Sequence, residues 1–330
     1  MKQSHTLLFI LVLLSILSLA SCSDDFDINT VKGKPKLILY CMPAAGDSTA
    51  ILLIRSLPVN QKGQVVPIDG AHISYSVNGR PATVVAEGNG HYKAVARQAV
   101  GDRISIEAEA DGLPAVSAQT TILAPVPVSD VATKDVTVYS DYWEESENYL
   151  QLTASFTDPA DTKDYYAVQV KSLLFWRNDD SYGDIPDPDE VIVDTTAAVC
   201  TVYTESDPVL KKLNSIDYDF GYDNNAYENF YVFTDDDFNG KTYTLHLNLD
   251  RNVTLVGSHY VSPYYYVELY HITPEFYHFV STIGSVENSD LAKAGLSNIT
   301  PNVGNVRNGI GMAAGFASAK SKIVQHVYDE

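Results

Sequence analysis

From residue 36 to residue 123 short strand-like runs follow one another closely, most of them separated by glycine-bearing turns, and that rhythm leaves little choice of fold. Runs at 36–42 and 50–56 read as the first two strands. The run at 72–77 alternates apolar and polar residues and ends on Asn78-Gly79, the strongest short hairpin signal, with 82–86 as its returning strand. Gly88-Asn89-Gly90 leads into 91–96, Gly101-Asp102 into 103–110, and Asp111-Gly112 into 115–123. Seven short strands at this spacing predict an immunoglobulin-like β-sandwich over residues 35–126. Ala124-Pro125-Val126-Pro127 closes it, because proline cannot continue a ladder and favours extended chain.

Residues 127–330 read as a second β-rich, sandwich-like domain with one short helix, so the expected fold class is mainly β. Its clearest strands are 148–156, 165–174, 242–249 and 263–272. Thr273-Pro274-Glu275 offers an N-cap, a proline at the first helical position and an early acid. Phe276, Phe279, Val280 and Ile283 then recur at helical spacing, and Gly284 is placed to end the helix.

Ahead of both domains, Lys2 precedes a fourteen-residue run from Leu7 to Ala20 that is apolar apart from Ser15 and Ser18. A bilayer span needs about 20 apolar residues, so the run is short for a transmembrane helix and suits a signal peptide over 1–21. Leu19-Ala20-Ser21-Cys22 resembles the lipobox of bacterial lipoproteins, in which Cys22 takes the lipid and becomes the mature N-terminus, tied to a membrane through it. The next residues, Ser23, Asp24, Asp25 and Asp27, resemble the surface-export signal of Bacteroidota lipoproteins, within an acidic tether over 22–34. Together they predict an outer-membrane anchor with the body facing the cell exterior.

Charge decides which partners are excluded. The chain carries a formal net charge of -20, and loss of the leader removes only Lys2, leaving -21. A body this acidic is repelled by nucleic acid and by anionic lipid head groups, so no nucleic-acid partner is expected. Of the three cysteines, Cys22 is committed to lipid. Cys41 and Cys200 fall in different predicted domains and read as two buried free thiols.

Three stretches carry a family resemblance: Phe233-Thr234-Asp235-Asp236-Asp237-Phe238-Asn239-Gly240-Lys241-Thr242-Tyr243, then Val267-Glu268-Leu269-Tyr270-His271-Ile272-Thr273-Pro274-Glu275-Phe276-Tyr277-His278-Phe279, then Asn305-Val306-Arg307-Asn308-Gly309-Ile310-Gly311-Met312-Ala313-Ala314-Gly315. In that order they resemble the Bacteroidota lipoprotein family called domain of unknown function 4249 (DUF4249), and the opening Lys34-Pro35-Lys36-Leu37 extends the likeness to nearly all of the mature chain. What the resemblance implies is an accessory role beside a TonB-dependent outer-membrane transporter, as ligand capture or as a cover for its mouth. It brings no catalytic residues. The alternatives are a structural or adhesive surface protein and, behind it, a glycan or peptide hydrolase.

The residues themselves argue little chemistry. The eight histidines are scattered, and no His-Glu-x-x-His, paired-cysteine or Gly-x-Ser-x-Gly arrangement occurs. His271 and His278 stand seven apart with no third zinc ligand identifiable. Gly309, Gly311 and Gly315 have the wrong spacing for a dinucleotide loop and read instead as glycines that let a final strand pack closely. No cofactor is expected. Calcium is the one metal considered, at Asp217, Asp219, Asp223 and Glu228, where neither the glycine nor the terminal glutamate of a twelve-residue calcium loop falls in register. A solvated acidic loop explains them as well. Contacts to a ligand or partner are expected from Tyr218, Tyr222, Tyr227, Tyr264 and Tyr265, since exposed tyrosines make low-entropy contacts, although alternate members of such a run commonly face a core.

Overall fold

The computed structural model describes residues 35–56, 66–140, 145–177, 192–212, 230–251, 254–256, 259–261, 263–287 and 304–326. Nine strands open the chain: β1 (Leu37–Cys41), β2 (Gly46–Arg55), β3 (Val66–Pro67), β4 (His72–Val77), β5 (Arg80–Pro81), β6 (Thr83–Gly88), β7 (His91–Gln98), β8 (Arg103–Glu109) and β9 (Val116–Thr121). Then come β10 (Val128–Ser140), β11 (Glu145–Thr157), β12 (Tyr165–Arg177), β13 (Ile192–Cys200), β14 (Lys211–Lys212), β15 (Tyr231–Thr234) and β16 (Thr242–Asp250). A small hairpin, β17 (Thr254–Val256) with β18 (His259–Val261), leads to β19 (Tyr264–Ile272) and α1 (Pro274–Glu287). The described chain ends with β20 (Ile310–Ala313), β21 (Phe316–Lys320) and β22 (Val324–Gln325).

The first sandwich sets the sheet β20-β1-β2-β7-β6 against the sheet β5-β4-β8-β9. Alternation decides which side chains meet: Leu39, Leu53 and Tyr92 from one sheet pack on Tyr75, Ile104, Ile106 and Val116 from the other. The turn after β4 is as expected, with Asn78 at φ 51° and Gly79 at φ 77°. Its returning strand is not. β5 pairs with β4 only at Ser76↔Pro81 and Val77↔Arg80, and β6 belongs to the opposite sheet as the partner of β7. Pro81 lacks an N–H to extend the ladder, so the chain leaves after Ala82 donates to Tyr75 O at 2.8 Å.

A strand from near the end of the chain completes this sandwich. β20 runs parallel to β1, with Leu39 opposite Gly311 and Cys41 opposite Ala313. The close approach expected of the late glycines is present. A Cβ on Gly311 would stand 2.1 Å from Leu39 O, and one on Gly315 would stand 1.9 Å from Thr121 O. Asn305 secures the crossing, accepting from Ala313 N–H at 2.9 Å while its amide donates to Gln119 O and Ala313 O at 2.8 Å each.

In the rest of the chain the sheet β10-β11-β16 faces the sheet β14-β15-β12-β19-β21, to which β13 and β22 attach. Leu150, Leu152, Leu245 and Leu247 fill the space against Tyr166, Val168, Phe233 and Val267. The far side of the second sheet is covered too. There Phe230, Val232 and Ile272, with Phe276 and Phe279 of α1, meet Ile38, Tyr40, Leu52 and Met312 from the outer side of the first sandwich. Strand β19 is therefore buried on both faces, which suits its unbroken apolar reading Tyr-Tyr-Tyr-Val rather than an alternating one.

Helix α1 starts at Pro274, as its sequence predicts, with Tyr277 N–H donating to Thr273 O at 3.1 Å. It does not stop at Gly284 but continues to Glu287. An interior glycine costs about 1 kcal/mol relative to alanine, which weakens a helix without ending it. Cys41 and Cys200 are buried free thiols, and burial pushes the Cys41 thiol up to about 12, so it carries no thiolate to react. Among the described residues no helix is long and apolar enough to cross a membrane.

Candidate functional site

Where β11 ends, β12 begins and β15 ends, the two sheets of the second body converge, and an aspartate stands at each place. Asp158 follows β11, Asp164 precedes β12, and Asp235 follows β15. All three are buried, and an oxygen from each lies within 4.8 Å of the others. Such proximity is how carboxylates hold a cation, but protein donors already reach all three. Tyr166 Oη donates to Asp158 at 2.5 Å and Gly240 N–H at 2.8 Å. Thr162 Oγ1 donates to Asp164 at 2.7 Å, while Asp164 N–H and the Asn239 amide donate to Asp235 at 2.8 and 3.0 Å.

His271 joins the cluster from β19. Its Nδ1 lies 2.8 Å from Ala124 O, a group that only accepts, so Nδ1 carries a hydrogen. Its Nε2 lies 3.0 Å from Asp164 Oδ1, and a hydrogen bond across that contact needs a further proton on one partner. The ring thus ties the linker at Ala124 to the strand ends. The cluster acts as a latch: its donors come from the 158–164 turn, the 235–241 turn and β12, and satisfying buried acceptors fixes those turns against one another.

Burial raises the Asp235 carboxyl above its ordinary value; the Asp164 N–H opposes the shift, and the neighbouring charges of Asp158 and Asp164 add to it. A folded value above 3.8 means that the stabilisation from binding this proton is complete below pH 3.8 and is lost as pH rises through the folded value. Asp235→Asn keeps an oxygen to accept both N–H groups and removes the charge. It is expected to melt no lower than the parent at about pH 7 and to lack the Asp235 part of the pH dependence. Asp235→Ala leaves Asp164 N–H buried without its acceptor and should lose about 1–3 kcal/mol. Melting curves of the three proteins between about pH 4 and 7 check this, and parallel curves for parent and Asp235→Asn would contradict it.

Burial raises the Tyr166 hydroxyl strongly, and its bond to Asp158 adds to the effect, so the phenol stays protonated and supplies neither base nor nucleophile. In the sequence Asp235-Asp236-Asp237 stands only within a family motif, and its union with Asp158 and Asp164 is not apparent there. Chain spacing does not show that union, since Asp164 and Asp235 meet through the pairing of β12 with β15 and Asp158 comes from the facing sheet. Asp236 is instead exposed, bound by Lys163 Nζ at 2.6 Å and Thr234 Oγ1 at 2.7 Å.

The other expected site residues divide in two. Cys22, Ser23, Asp24, Asp25 and Asp27 lie outside the described residues, as do Tyr218, Tyr222 and Tyr227 and the calcium candidates Asp217, Asp219, Asp223 and Glu228. Tyr264 and Tyr265 are described, and they correct the expectation of ligand contacts: they are 4% and 1% exposed. Both belong to β19, whose two faces are covered. His271 and His278 do not converge, because the first serves the aspartate latch while the second packs on Tyr165 and Tyr277.

Among solved structures, the chain is similar to the adhesin InvE of Yersinia pseudotuberculosis at 12% identity and a TM-score of 0.18, covering 72% of this chain and 55% of that one. It is also similar to the partial N-terminal region of an enterococcal surface protein at 8% identity and a TM-score of 0.18, covering 72% and 90%. No curated protein matches. A family model described as a domain of unknown function, DUF4249, matches residues 23–322, in agreement with the three motifs on β15–β16, on β19–α1 and around β20. The chain belongs to the DUF4249 family.

Proposed function

We propose that the chain is a non-enzymatic lipoprotein of a Bacteroidota-type outer membrane, held by a lipid on Cys22 and facing outward, where it serves a TonB-dependent transporter as accessory or ligand-capture subunit. The observation that carries this reading is the order of signals at the N-terminus: the apolar run 7–20, small residues, Cys22, then the acids at 24, 25 and 27. The family match begins at residue 23, directly after that cysteine, so the leader and the lipid site stand outside the matched body. The net charge of -20 disfavours nucleic acid and anionic lipid as alternative partners. Support for a binding role over a catalytic one comes from the aspartate latch, whose carboxylates are committed to holding strand ends.

Affinity purification of the Cys22-anchored protein from outer membranes tests the partner. A transporter-sized β-barrel is expected to co-purify at a fixed ratio that survives washing in detergent. Recovery of the lipoprotein with no barrel protein at any ratio would count against the accessory role.

A further inference from the structure

On the outer face of the sheet β5-β4-β8-β9 lies a cleft of about 690 Å³, within the roughly 300–1,000 Å³ usual for small-ligand sites. Its floor follows from strand register. The apolar members of β4, β8 and β9 turn inward, leaving two cross-strand rows outside: Ser74, Glu107 and Ser117, then Ser76, Ser105 and Gln119. Beyond β9 the wall is the 305–307 segment, held by Arg307 N–H to Ser117 O at 2.8 Å and by the Asn305 amide to Gln119 O. Glu275, in the first turn of α1, also lines the cleft.

Two features set this face apart from an ordinary polar surface. The floor side chains are mostly serines, whose small size leaves the hollow open between neighbouring strands. Among the described residues, moreover, no hydrogen bond or ion pair engages the side chains of Ser74, Ser76, Ser105, Glu107, Gln119 or Arg307. Hydroxyls, an amide, carboxylates and a guanidinium therefore face the hollow with donors and acceptors intermixed.

We infer that this cleft binds a neutral oligosaccharide, whose hydroxyls donate and accept in the mixed pattern that the Ser74–Glu107–Ser117 and Ser76–Ser105–Gln119 rows offer, with Arg307 and Glu275 at the walls. Other ligand classes fit less well. An anion meets Glu107 and Glu275 against the single Arg307, on a chain of net charge -20. An apolar ligand finds few aliphatic or aromatic surfaces, because Ile73, Tyr75, Ile104 and Ile106 are turned into the core. An extended peptide adds to a sheet edge, whereas this cleft spans the face and the β9 edge beside it is bridged by Arg307. The inference goes beyond the transporter role and is independent of it, since the assay below contains no transporter.

The full chain, purified in detergent, is applied to an array of neutral gluco-, manno-, galacto- and xylo-oligosaccharides beside polygalacturonate and a peptide library, and the best probe is then titrated calorimetrically. A neutral oligosaccharide is expected to bind. Glu107→Ala and Arg307→Ala should each weaken it about tenfold or more, the loss typical of a hydrogen bond to a charged group, with Tm unchanged. Lys93→Ala, on the other sheet, should change nothing. Ser105→Leu, which fills the floor, should abolish binding and decides the question if an alanine variant melts early. No neutral oligosaccharide bound, a preference for the acidic polymer or a peptide, or unchanged affinity in the folded cleft variants would overturn the assignment.

Discussion

Gly311→Ala is expected to destabilise the chain by at least about 3 kcal/mol, among the larger costs a single substitution produces. Two causes act at one position. Gly311 sits at φ +103°, a backbone conformation that side-chain-bearing residues rarely adopt, and its Cβ would stand 2.1 Å from Leu39 O. The neighbour is backbone in the paired strand β1, so relief requires β20 to move away. Moving it exposes Met312 and Ala313, which fill two different cores, Met312 between the bodies and Ala313 inside the first sandwich. At roughly 2–4 °C per kcal/mol, Tm should fall by about 6–12 °C. Thermal unfolding followed by circular dichroism checks this. Gly79→Ala, where a Cβ meets nothing within 4 Å, separates backbone strain from collision and should cost less.

That a segment near the C-terminus builds the first sandwich was only half legible in the sequence. The glycines at 309, 311 and 315 announce a close approach, since little else explains them so near together. What they approach is hidden, because β20 and β1 are joined by parallel pairing across almost the whole chain, and such pairing leaves no local turn to read. The β4 turn shows the complementary case. Asn78-Gly79 fixed the reversal correctly, while the sheet that β6 joins depended on Pro81 ending the ladder after two pairs.

Tyrosine was the residue most open to misreading. Tyr264 and Tyr265 resemble a binding cluster when counted by density, yet the same stretch lacks period-two alternation, the mark of a strand covered on both sides. The aspartate latch was not legible, since Asp164 meets Asp235 through the pairing of β12 with β15 and Asp158 arrives from the facing sheet at the end of β11. Neither row of the serine cleft is visible along the chain, because each draws one residue from three strands.

Cys22→Ala should have the largest effect of all on where the protein resides. On the proposed reading, the lipid on Cys22 is what holds this acidic body at a membrane. One diacylglycerol adds about 0.8 kcal/mol per buried methylene, and a further acyl chain converts weak adsorption into stable anchoring. Under that reading, loss of the thiol removes the lipid, and the -21 mature body is then repelled by a membrane of the same sign. The variant should leave the membrane fraction almost completely and lose label in cells fed a radioactive fatty acid, while its Tm stays that of the parent body.

Display at the cell surface through Cys22 is the central claim of the proposed function, and protease shaving of intact cells tests it most directly. The parent protein should be digested by external protease in whole cells while a periplasmic marker survives, and a variant with Asp24, Asp25 and Asp27 all changed to alanine should keep its lipid yet become protected. Parent protein that resists shaving in intact cells but is cut once the outer membrane is permeabilised would place it on the inner side and contradict surface display.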